Sequence, residues 1–395
     1  MKPTLNYRAP NDTPQFKGQI YGIDTSEGTI FVLPAHFIEE LKSNPALSFA
    51  ASFDTLTHAD WTPVKIYDVL FHLVCKSAAK TLLGEQAAQN ARWLQIEADY
   101  ITTAISYIQE LKTWPKLLRP LIYRRVEGYS TLQKLSTEAQ AIINDYLAQK
   151  KANDWKPLQD PPSFFDHVTA KYNNLSAEEH LSMQITLFIA GVHTSAASST
   201  QAMFDAAVNP DCIKEVRNEV KELHEKCGGD LARQDLGQLV KLDSFIKEVL
   251  RFSSPDLATF VRKSSREVVL SNGFRIPKGA KLEVATGAIG MDSDVYDNPQ
   301  AFDGLRFWKM RQLKDKAVKH QFTSISISDL DWGYGRHACP GRYMADITIK
   351  LLLIEILLHY EFKNPEGQNR YQSLNFDGQT MPDTDGEILI RRIKT

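Results

Sequence analysis

The sequence predicts a mainly α fold with a minor β portion, and two contrasting segments carry this prediction. Ser176-Ala-Glu-Glu179 forms a capping box, which opens a helical stretch of about 30 residues that ends before Asn209-Pro210. Residues 267–276 instead alternate around Asn272-Gly273, a dipeptide that strongly favours a β-hairpin turn. No internal repeat and no linker-like stretch divides the chain, so we expect a single domain over residues 1–395.

The other elements follow in chain order. Thr62 is a plausible N-cap and Pro63 suits the first helical position, so a helix is predicted from this pair to residue 83. Two short strands are predicted over residues 19–33, around a Ser-Glu-Gly turn. Further helices are predicted over 34–42, 89–113, 128–150, 210–225, 239–252 and 340–359, a strand over 282–286, and a loop-rich stretch over 287–339. This divides the domain into a small β-rich part over residues 1–60 and a helical core over 61–395.

Composition excludes several classes of protein. The 395 residues include 46 Lys and Arg and 48 Asp and Glu, for a formal net charge of −2, and 43% are hydrophobic. These are ordinary globular values, and the near-neutral charge argues against a nucleic-acid-binding protein. Four cysteines without a CxxC pair do not make a disulfide scaffold and favour a reducing compartment. We find no secretory signal and no run of the roughly 18 apolar residues that a membrane helix needs.

The segment from Trp332 to Gly341 (WGYGRHACPG) is the most informative part of the chain. Its glycines permit positive φ and the close approach of a flat ligand to the backbone. Pro340 suits a first helical position, which predicts Cys339 at a helix N-terminus, where N–H groups stabilise a thiolate. Arg336 and His337 add positive charge for an anionic group. The pattern favours a metal-bound thiolate, and the alternative is a glycine-rich turn before a core helix with a buried Cys.

This segment resembles the haem-binding loop of cytochromes P450, an aromatic-Gly-x-Gly-x-His/Arg-x-Cys-x-Gly sequence whose thiolate ligates the haem iron. The resemblance implies a cytochrome P450-like fold that binds haem b. It makes Cys339 the axial iron ligand, places His337 at a haem propionate, and puts Trp332 where the family usually has Phe. Gly335 and Gly341 match the glycines of the loop, and the stretch GRHACPGR is similar to the fungal branch.

Two further arginine motifs resemble the family. Glu248 and Arg251 are three residues apart on one helix face, a spacing that usually gives a solvated surface pair. The pair is similar to the structural Glu-x-x-Arg motif, and Arg306 would complete its three-member network. Arg262, just before the predicted hairpin, stands where the family often has a propionate-binding Arg; the alternative is an exposed charge at a strand end.

The centre of the long predicted helix carries small residues. Ala190 and Thr194 share one face, and a Thr hydroxyl that bonds a backbone carbonyl loosens a helix locally. With Gly191 between them, the passage resembles the oxygen-activation motif of the family, in which Thr194 matches the proton-delivery Thr. His193 replaces the usual acid. The alternative is a helix-packing patch of small residues.

By resemblance, we expect the N-terminal part to be truncated relative to the family, because no segment with the family's Trp-x-x-x-Arg motif precedes the predicted helix at Thr62-Pro63. Trp61 and Lys65 imitate that motif, with Lys as a weaker candidate for a propionate ligand. A basic run before the segment Trp332 to Gly341 is either a docking face for an acidic reductase or a solvated loop; it comprises Lys309, Arg311, Lys314, Lys316 and Lys319.

By resemblance, the expected function is a haem-thiolate monooxygenase that inserts one oxygen atom from O2 into a lipophilic small molecule, in secondary metabolism. Electrons would come from NADPH through a separate NADPH-cytochrome P450 reductase. The family implies the cytoplasmic side of the endoplasmic reticulum, with peripheral membrane contact, or the cytosol if the short N-terminus is native. Two alternatives stay open: a non-catalytic relic of the family, and a haem-thiolate isomerase or rearrangement catalyst that needs no reductase.

Overall fold

The computed structural model describes residues 21–25, 28–32, 60–172, 174–313, 319–376 and 378–393. The chain divides into two compact units, Met1–Thr62 with Arg391–Thr395, and Pro63–Ile390. In the first unit, β1 (Tyr21–Thr25) and β2 (Gly28–Val32) pair antiparallel. The two strands expected over 19–33 are therefore confirmed. The helix expected over 34–42 lies outside the described residues.

The second unit is mainly helical, and most of its helices match the predicted segments. In chain order they are α1 (Ile66–Leu82), α2 (Glu85–Gln89), α3 (Ala91–Thr113), α4 (Arg119–Ile122), α5 (Tyr129–Ala152), α6 (Phe164–Lys171), α7 (Ala177–Val208), α8 (Pro210–Lys226), α9 (Val240–Phe252), α10 (Thr286–Gly290), α11 (Arg306–Arg311) and α12 (Arg342–His359). Single turns of 3-10 helix lie at Asp235–Gln238 and Gly335–His337.

The β portion consists of short strands in small sheets. Three strands form one sheet in the order β3-β11-β8, and three further antiparallel pairs join β4 with β7, β5 with β6 and β9 with β10. Their bounds are β3 (Thr62–Lys65), β4 (Thr259–Lys263), β5 (Val268–Val269), β6 (Arg275–Ile276), β7 (Lys281–Val284), β8 (Tyr360–Lys363), β9 (Leu374–Phe376), β10 (Gln379–Met381) and β11 (Glu387–Arg392). The hairpin predicted around Asn272-Gly273 is the β5–β6 pair, and Gly273 has a φ of 84°.

Helix α7 is the centre of the helical unit, and its start is set by local chemistry. The backbone N–H of Glu179 donates to Ser176 Oγ (3.2 Å), and Glu179 Oε2 accepts from the backbone N–H of Ser176 (2.8 Å). This is the predicted capping box. Helices α1, α3, α5 and α12 pack around α7. Burial of apolar side chains between them, such as Trp93 and Phe188, supplies the main stabilising term.

Two helix starts differ from the prediction. Thr62 and Pro63 lie in β3, and α1 begins only at Ile66 after Lys65. The pairing of β3 in its sheet keeps the backbone extended there and overrides the local cap signal. Pro340 precedes α12 instead of opening it, because the N-cap of that helix is Gly341. The stretch expected to be loop-rich contains α11 and the turn Gly335–His337 as well.

Candidate active site

The thiolate loop, residues 332–341, is held by bonds to its own backbone. The backbone N–H of Cys339 donates to the carbonyl of Trp332 (2.7 Å), which closes the loop, and the indole N–H of Trp332 donates to the carbonyl of Phe322 (2.7 Å). Gly335 has a φ of 69°, a conformation that glycine adopts without strain. Arg342, the first residue of α12, donates to the carbonyl of Cys339 (2.8 Å). Hydrogen bonds within the protein thus fix the loop at both ends.

Cys339 opens on a cavity of about 330 Å³. The thiolate loop forms one side of it with Trp332, His337 and Cys339, and strand β4 forms another with Phe260 and Arg262. The structure therefore brings two predicted propionate contacts, His337 and Arg262, to the same cavity as the predicted iron ligand.

A bulge in β4 shapes the second wall. The register of β4 against β7 shifts between Thr259 and Arg262, and Phe260 between them has a left-handed φ of 56°. Such a bulge re-aims side chains at the edge of a site. The Arg262 guanidinium lies over the Phe260 ring at 4.3 Å, and Thr259 donates to the carbonyl of Leu330, next to the thiolate loop. This buried hydrogen bond links β4 to the residues directly before the thiolate loop.

Asp331 is a cavity residue that sequence reasoning missed. Its carboxylate accepts a hydrogen bond from Ser254 Oγ (2.7 Å). Burial and the neighbouring Asp329 raise the pKa of Asp331 to about 6. The Asp-x-Asp spacing of Asp329 and Asp331 is the sequence signal that could have indicated this raised pKa. Burial is its largest cause, however, and burial cannot be read from the sequence.

These residues fit a haem. Within the described ranges, no group of three or more His, Cys, Asp or Glu could hold a metal ion. Cys339 offers a single sulfur ligand, so a metal bound there must bring its other ligands, as iron in a porphyrin does. No atom lies within 4 Å of where a Cβ on Gly335 would be, and a Cβ on Gly341 would lie 3.9 Å from Cys339 Sγ. Together with Arg262 and His337, this leaves room and positive charge for a flat ring with propionate groups.

The central segment of α7 exposes the predicted small residues. Ala190, Gly191 and Thr194 are exposed, whereas the helix is almost entirely buried from Ser195 to Ala206. Thr194 Oγ1 donates to the carbonyl of Ala190 (2.8 Å), the bond that loosens a helix locally. A Cβ on Gly191 would meet nothing within 4 Å. These residues do not line the cavity at Cys339. The structure therefore shows two separate open surfaces, the cavity at the thiolate loop and the exposed face of α7.

The side chain of His193 contacts helix α1, whereas that of Thr194 is exposed. Its Nδ1 lies 3.0 Å from the hydroxyl of Tyr67 on α1, and its ring is tilted against Phe71 at 5.2 Å. Burial lowers the pKa of His193. Tyr67 is the second residue that sequence reasoning missed, because the two partners are 126 positions apart and no local pattern connects them.

Glu248, Arg251 and Arg306 form one buried cluster. Arg251 donates to both carboxylate oxygens of Glu248 (2.8 and 2.7 Å), and Arg306 Nε lies 3.1 and 3.2 Å from them. Glu248 is completely buried and Arg251 is 3% exposed, so this is not a solvated surface pair. The other N–H groups of the two arginines donate to backbone carbonyls, those of Gly290, Asp297, Asn298, Pro299 and Ala301. The cluster joins α9 to the segment before α11.

Two weaker sequence candidates are engaged elsewhere. Lys65 forms an exposed ion pair with Asp385 (2.7 Å) and does not line the cavity at Cys339. Arg311 is not part of an exposed basic face, because it is buried against Asp243, and Lys309 pairs with Asp303 (2.8 Å). Lys319 is exposed. Lys314 and Lys316 lie outside the described residues.

Comparison with known proteins places this arrangement in a family. A sequence model described as cytochrome P450 matches residues 39–390. Cytochrome P450 monooxygenase AN1598 of Emericella nidulans is 29% identical over 362 residues, which cover 90% of this chain and 67% of that relative. Ent-kaurene oxidase of Gibberella intermedia is 30% identical over 337 residues, which cover 84% of this chain and 63% of that relative.

A solved structure agrees at the level of the fold. Retinoic acid-bound cyanobacterial CYP120A1 superposes with a TM-score of 0.67 at 20% identity, covering 91% of this chain and 76% of that one. The chain therefore belongs to the cytochrome P450 family. It is a haem-thiolate monooxygenase of the fungal type. Among the described residues, no helix is both long and apolar enough to span a bilayer.

Proposed function

We propose that the substrate is a lipophilic small molecule of secondary metabolism, into which one oxygen atom from O2 is inserted. The observation that carries this proposal is the open face of α7, where Ala190, Gly191 and Thr194 present small side chains and one hydroxyl. A face without charged groups suits an apolar substrate and would not retain an ionic one. The likeness to ent-kaurene oxidase of Gibberella intermedia, which is named for ent-kaurene, supports the same class.

The roles of the site residues follow from their chemistry. Cys339 would hold the haem iron through its thiolate, and Arg262 and His337 would pair with the propionates. When bound, a thiolate-ligated haem supplies the cleavage of the O–O bond. Thr194 would hold a water molecule or a proton at its hydroxyl beside the open face of α7, where its Oγ1 already bonds the carbonyl of Ala190. Trp332 fixes the loop through its bond to Phe322.

The electron supply and the location of the protein form a second part of the proposal. NADPH would deliver electrons through a separate reductase, as the family resemblance implies. We place the protein at the cytoplasmic face of the endoplasmic reticulum, in peripheral contact with the membrane. Support comes from the segment between α3 and α5, where Leu117 is 90% and Leu121 is 73% exposed and Lys116 and Arg119 lie beside them. Apolar and basic side chains together suit an anionic membrane surface.

The test of the haem-thiolate assignment is a single substitution. Reduced, CO-treated wild-type protein is expected to show the thiolate-type Soret band, and Cys339→Ser is expected to abolish it. Cys227→Ser is the matched control, because Cys227 is also a partly buried free cysteine but lies at the end of α8. A thiolate-type band that survives in Cys339→Ser would end the assignment. Oxidised product from a candidate lipophilic substrate, formed only with NADPH and a reductase, tests the remaining part.

A further inference from the structure

The Arg262 side chain lines the cavity at Cys339 and keeps most of its hydrogen-bonding capacity. One guanidinium nitrogen, Nη1, donates to the backbone carbonyl of the neighbouring Val261 (2.8 Å). Within the part of the chain that the structure describes, the side chain makes no second hydrogen bond and no ion pair. A guanidinium has five N–H groups. Most of the donors of Arg262 are therefore left for a ligand in the cavity.

Two carboxylates share the cavity with Arg262 but do not pair with it. Asp331 accepts a hydrogen bond from Ser254 Oγ (2.7 Å), and Asp256 lies 3.5 Å from the side-chain amide of Gln379. Neither forms an ion pair with Arg262 among the described residues. A guanidinium without a counter-charge in a partly enclosed site favours the binding of an added anion.

The ring of Phe260 holds the Arg262 guanidinium from one side. The central carbon of the guanidinium lies over this ring, 4.3 Å from its centroid. Stacking on an aromatic ring uses the flat face of a guanidinium, whereas its N–H groups point outward within its plane. The contact therefore limits the orientations of the Arg262 side chain without using any of its hydrogen-bond donors.

The backbone at Phe260 supports this placement at a cost in strain. Its φ of 56° is left-handed, a conformation that a bulky residue rarely adopts. The strand is anchored just before the bulge, because the buried Thr259 hydroxyl lies 2.6 Å from that of Thr286 and donates to the carbonyl of Leu330 (3.2 Å). Such strain persists only where the surroundings impose it, and it is frequent at ligand sites. The bulge thus distinguishes this pair from an ordinary surface contact between a cation and a ring.

We propose that Phe260 is a positioning residue, whose ring holds the Arg262 guanidinium in the cavity at Cys339 with its N–H edge free for a carboxylate, in this family a haem propionate. This proposal rests on the role that the proposed function gives to Arg262, and it adds the residue that orients that arginine. A side chain that is already oriented loses less conformational freedom when it binds an anion. The ring therefore raises the affinity for the anion without contacting it.

The first measurement is the resonance Raman spectrum of the haem-loaded protein, in which the propionate bending band reports hydrogen bonding to the propionates. Arg262→Gln is expected to shift this band. Phe260→Leu is expected to shift it part of the way, because Leu is apolar but has no π face. Phe260→Tyr keeps the ring and is expected to retain the wild-type band.

Phe274→Leu is the matched control for the Raman measurement. Phe274 lies between β5 and β6, is 64% exposed and does not line the cavity. This variant is expected to keep the wild-type propionate band. A wild-type band in Phe260→Leu, or the same shift in Phe260→Leu and Phe274→Leu, would overturn the proposal.

The second measurement is the rate at which haem is lost to an excess of an acceptor apoprotein. Phe260→Leu is expected to lose haem about two- to fivefold faster than wild type, the range that one exposed cation–π contact spans. Arg262→Gln is expected to lose haem faster as well, and adding Phe260→Leu to it should change the rate little, because the ring acts through the guanidinium. An equal effect of Phe260→Leu in both backgrounds would show that the ring acts on its own and would reject the positioning role.

Phe260→Gly separates the ring from the bulge. Glycine adopts a left-handed φ without strain, so this variant retains the backbone conformation and lacks only the ring. It is expected to match Phe260→Leu in the propionate band and in the rate of haem loss. A wild-type band in Phe260→Gly would show that the bulge alone orients Arg262, and would reject the role of the ring.

The two proposals fail separately. The CO spectrum reports the thiolate ligand, and the thiolate-type band is expected in every Phe260 variant, which also shows that each variant folds and binds haem. A wild-type protein without that band would reject the haem-thiolate assignment. An unchanged propionate band in Arg262→Gln would reject the propionate role of Arg262, and the role of Phe260 with it. A shifted band in Arg262→Gln together with a wild-type band in Phe260→Leu would reject the role of Phe260 alone.

Discussion

Helices α9 and α7 both carry polar side chains near their centres, but the surroundings of these side chains differ. On α9, the Glu248 carboxylate and its two arginines are buried, and every guanidinium finds a carboxylate or a carbonyl. At the centre of α7, Thr194 is exposed and His193 keeps one nitrogen without a partner among the described residues.

The difference separates scaffold from reaction surface. Buried charges are stable only when they are fully paired, so the loss of any member of the Glu248 cluster is expected to destabilise the fold. Groups that must meet a substrate or water need unused hydrogen-bonding capacity, which costs stability unless the site is open or supported by neighbours. Substitutions on α9 should therefore act on stability, whereas substitutions at the centre of α7 should act on turnover.

The largest effect is expected for Glu248→Gln. This change leaves Arg251 and Arg306 as buried cations without a counter-charge, and breaking such a pair costs about 3–5 kcal/mol. Urea unfolding would show the loss as a lower midpoint. Glu267→Gln is the control, because Glu267 pairs with Arg275 on the surface, with side chains 54% and 70% exposed, and no measurable loss is expected there. Equal stabilities for the two variants would contradict the distinction between scaffold and surface pairs.

An intermediate effect is expected in the pH dependence of stability, with opposite signs for two carboxyl groups. Burial raises the pKa of Asp243, but Lys350 and Arg311 outweigh it and the net pKa is lowered. Its stabilisation is present above the unfolded pKa of about 4 and is lost as pH falls through the folded value. The pKa of Asp331 is instead raised to about 6, so its stabilisation is complete below the unfolded value and is lost as pH rises through about 6.

Unfolding of three proteins across this pH range measures the contrast. Asp243→Asn is expected to be less stable than wild type at neutral pH, with the gap closing in acid. Asp331→Asn is expected to gain on wild type as pH rises through about 6, because the neutral amide avoids a buried charge beside Asp329. Parallel curves for wild type and Asp331→Asn would show that this carboxyl does not titrate as described.

The smallest effect on stability is expected for Thr194→Ala. It removes one hydrogen bond on an exposed face and should cost no more than about 1 kcal/mol. The thiolate-type band should persist, while the product formed per NADPH falls. Thr200→Ala is a matched control, because Thr200 Oγ1 makes the same bond to the carbonyl of Ala196 (2.8 Å) in the buried half of α7. Full coupling in Thr194→Ala would remove this Thr from proton delivery.

Much of the fold is predictable from local chemistry, and the misses share a cause. The capping box placed the start of α7, and Asn272-Gly273 placed the β5–β6 hairpin, because both signals act within a few residues. Thr62-Pro63 carried an equally good helix signal, yet a sheet pairing with a distant strand prevailed. Within the site, Cys339, His337 and Arg262 line one cavity while their roles stay predictions, and Tyr67 and Asp331 were not predicted.

The sequence alone determined which reactive groups are present: one cysteine in a glycine-rich loop, a hydroxyl in a small-residue helix, and a carboxylate three residues from an arginine. Tertiary structure decided which of these groups are charged, paired or exposed. It buried Glu248 among its cations, placed the Asp331 carboxylate against Ser254, and brought Tyr67 to His193 across 126 residues. Desolvation and long-range contact set these properties, and neither is a function of local sequence.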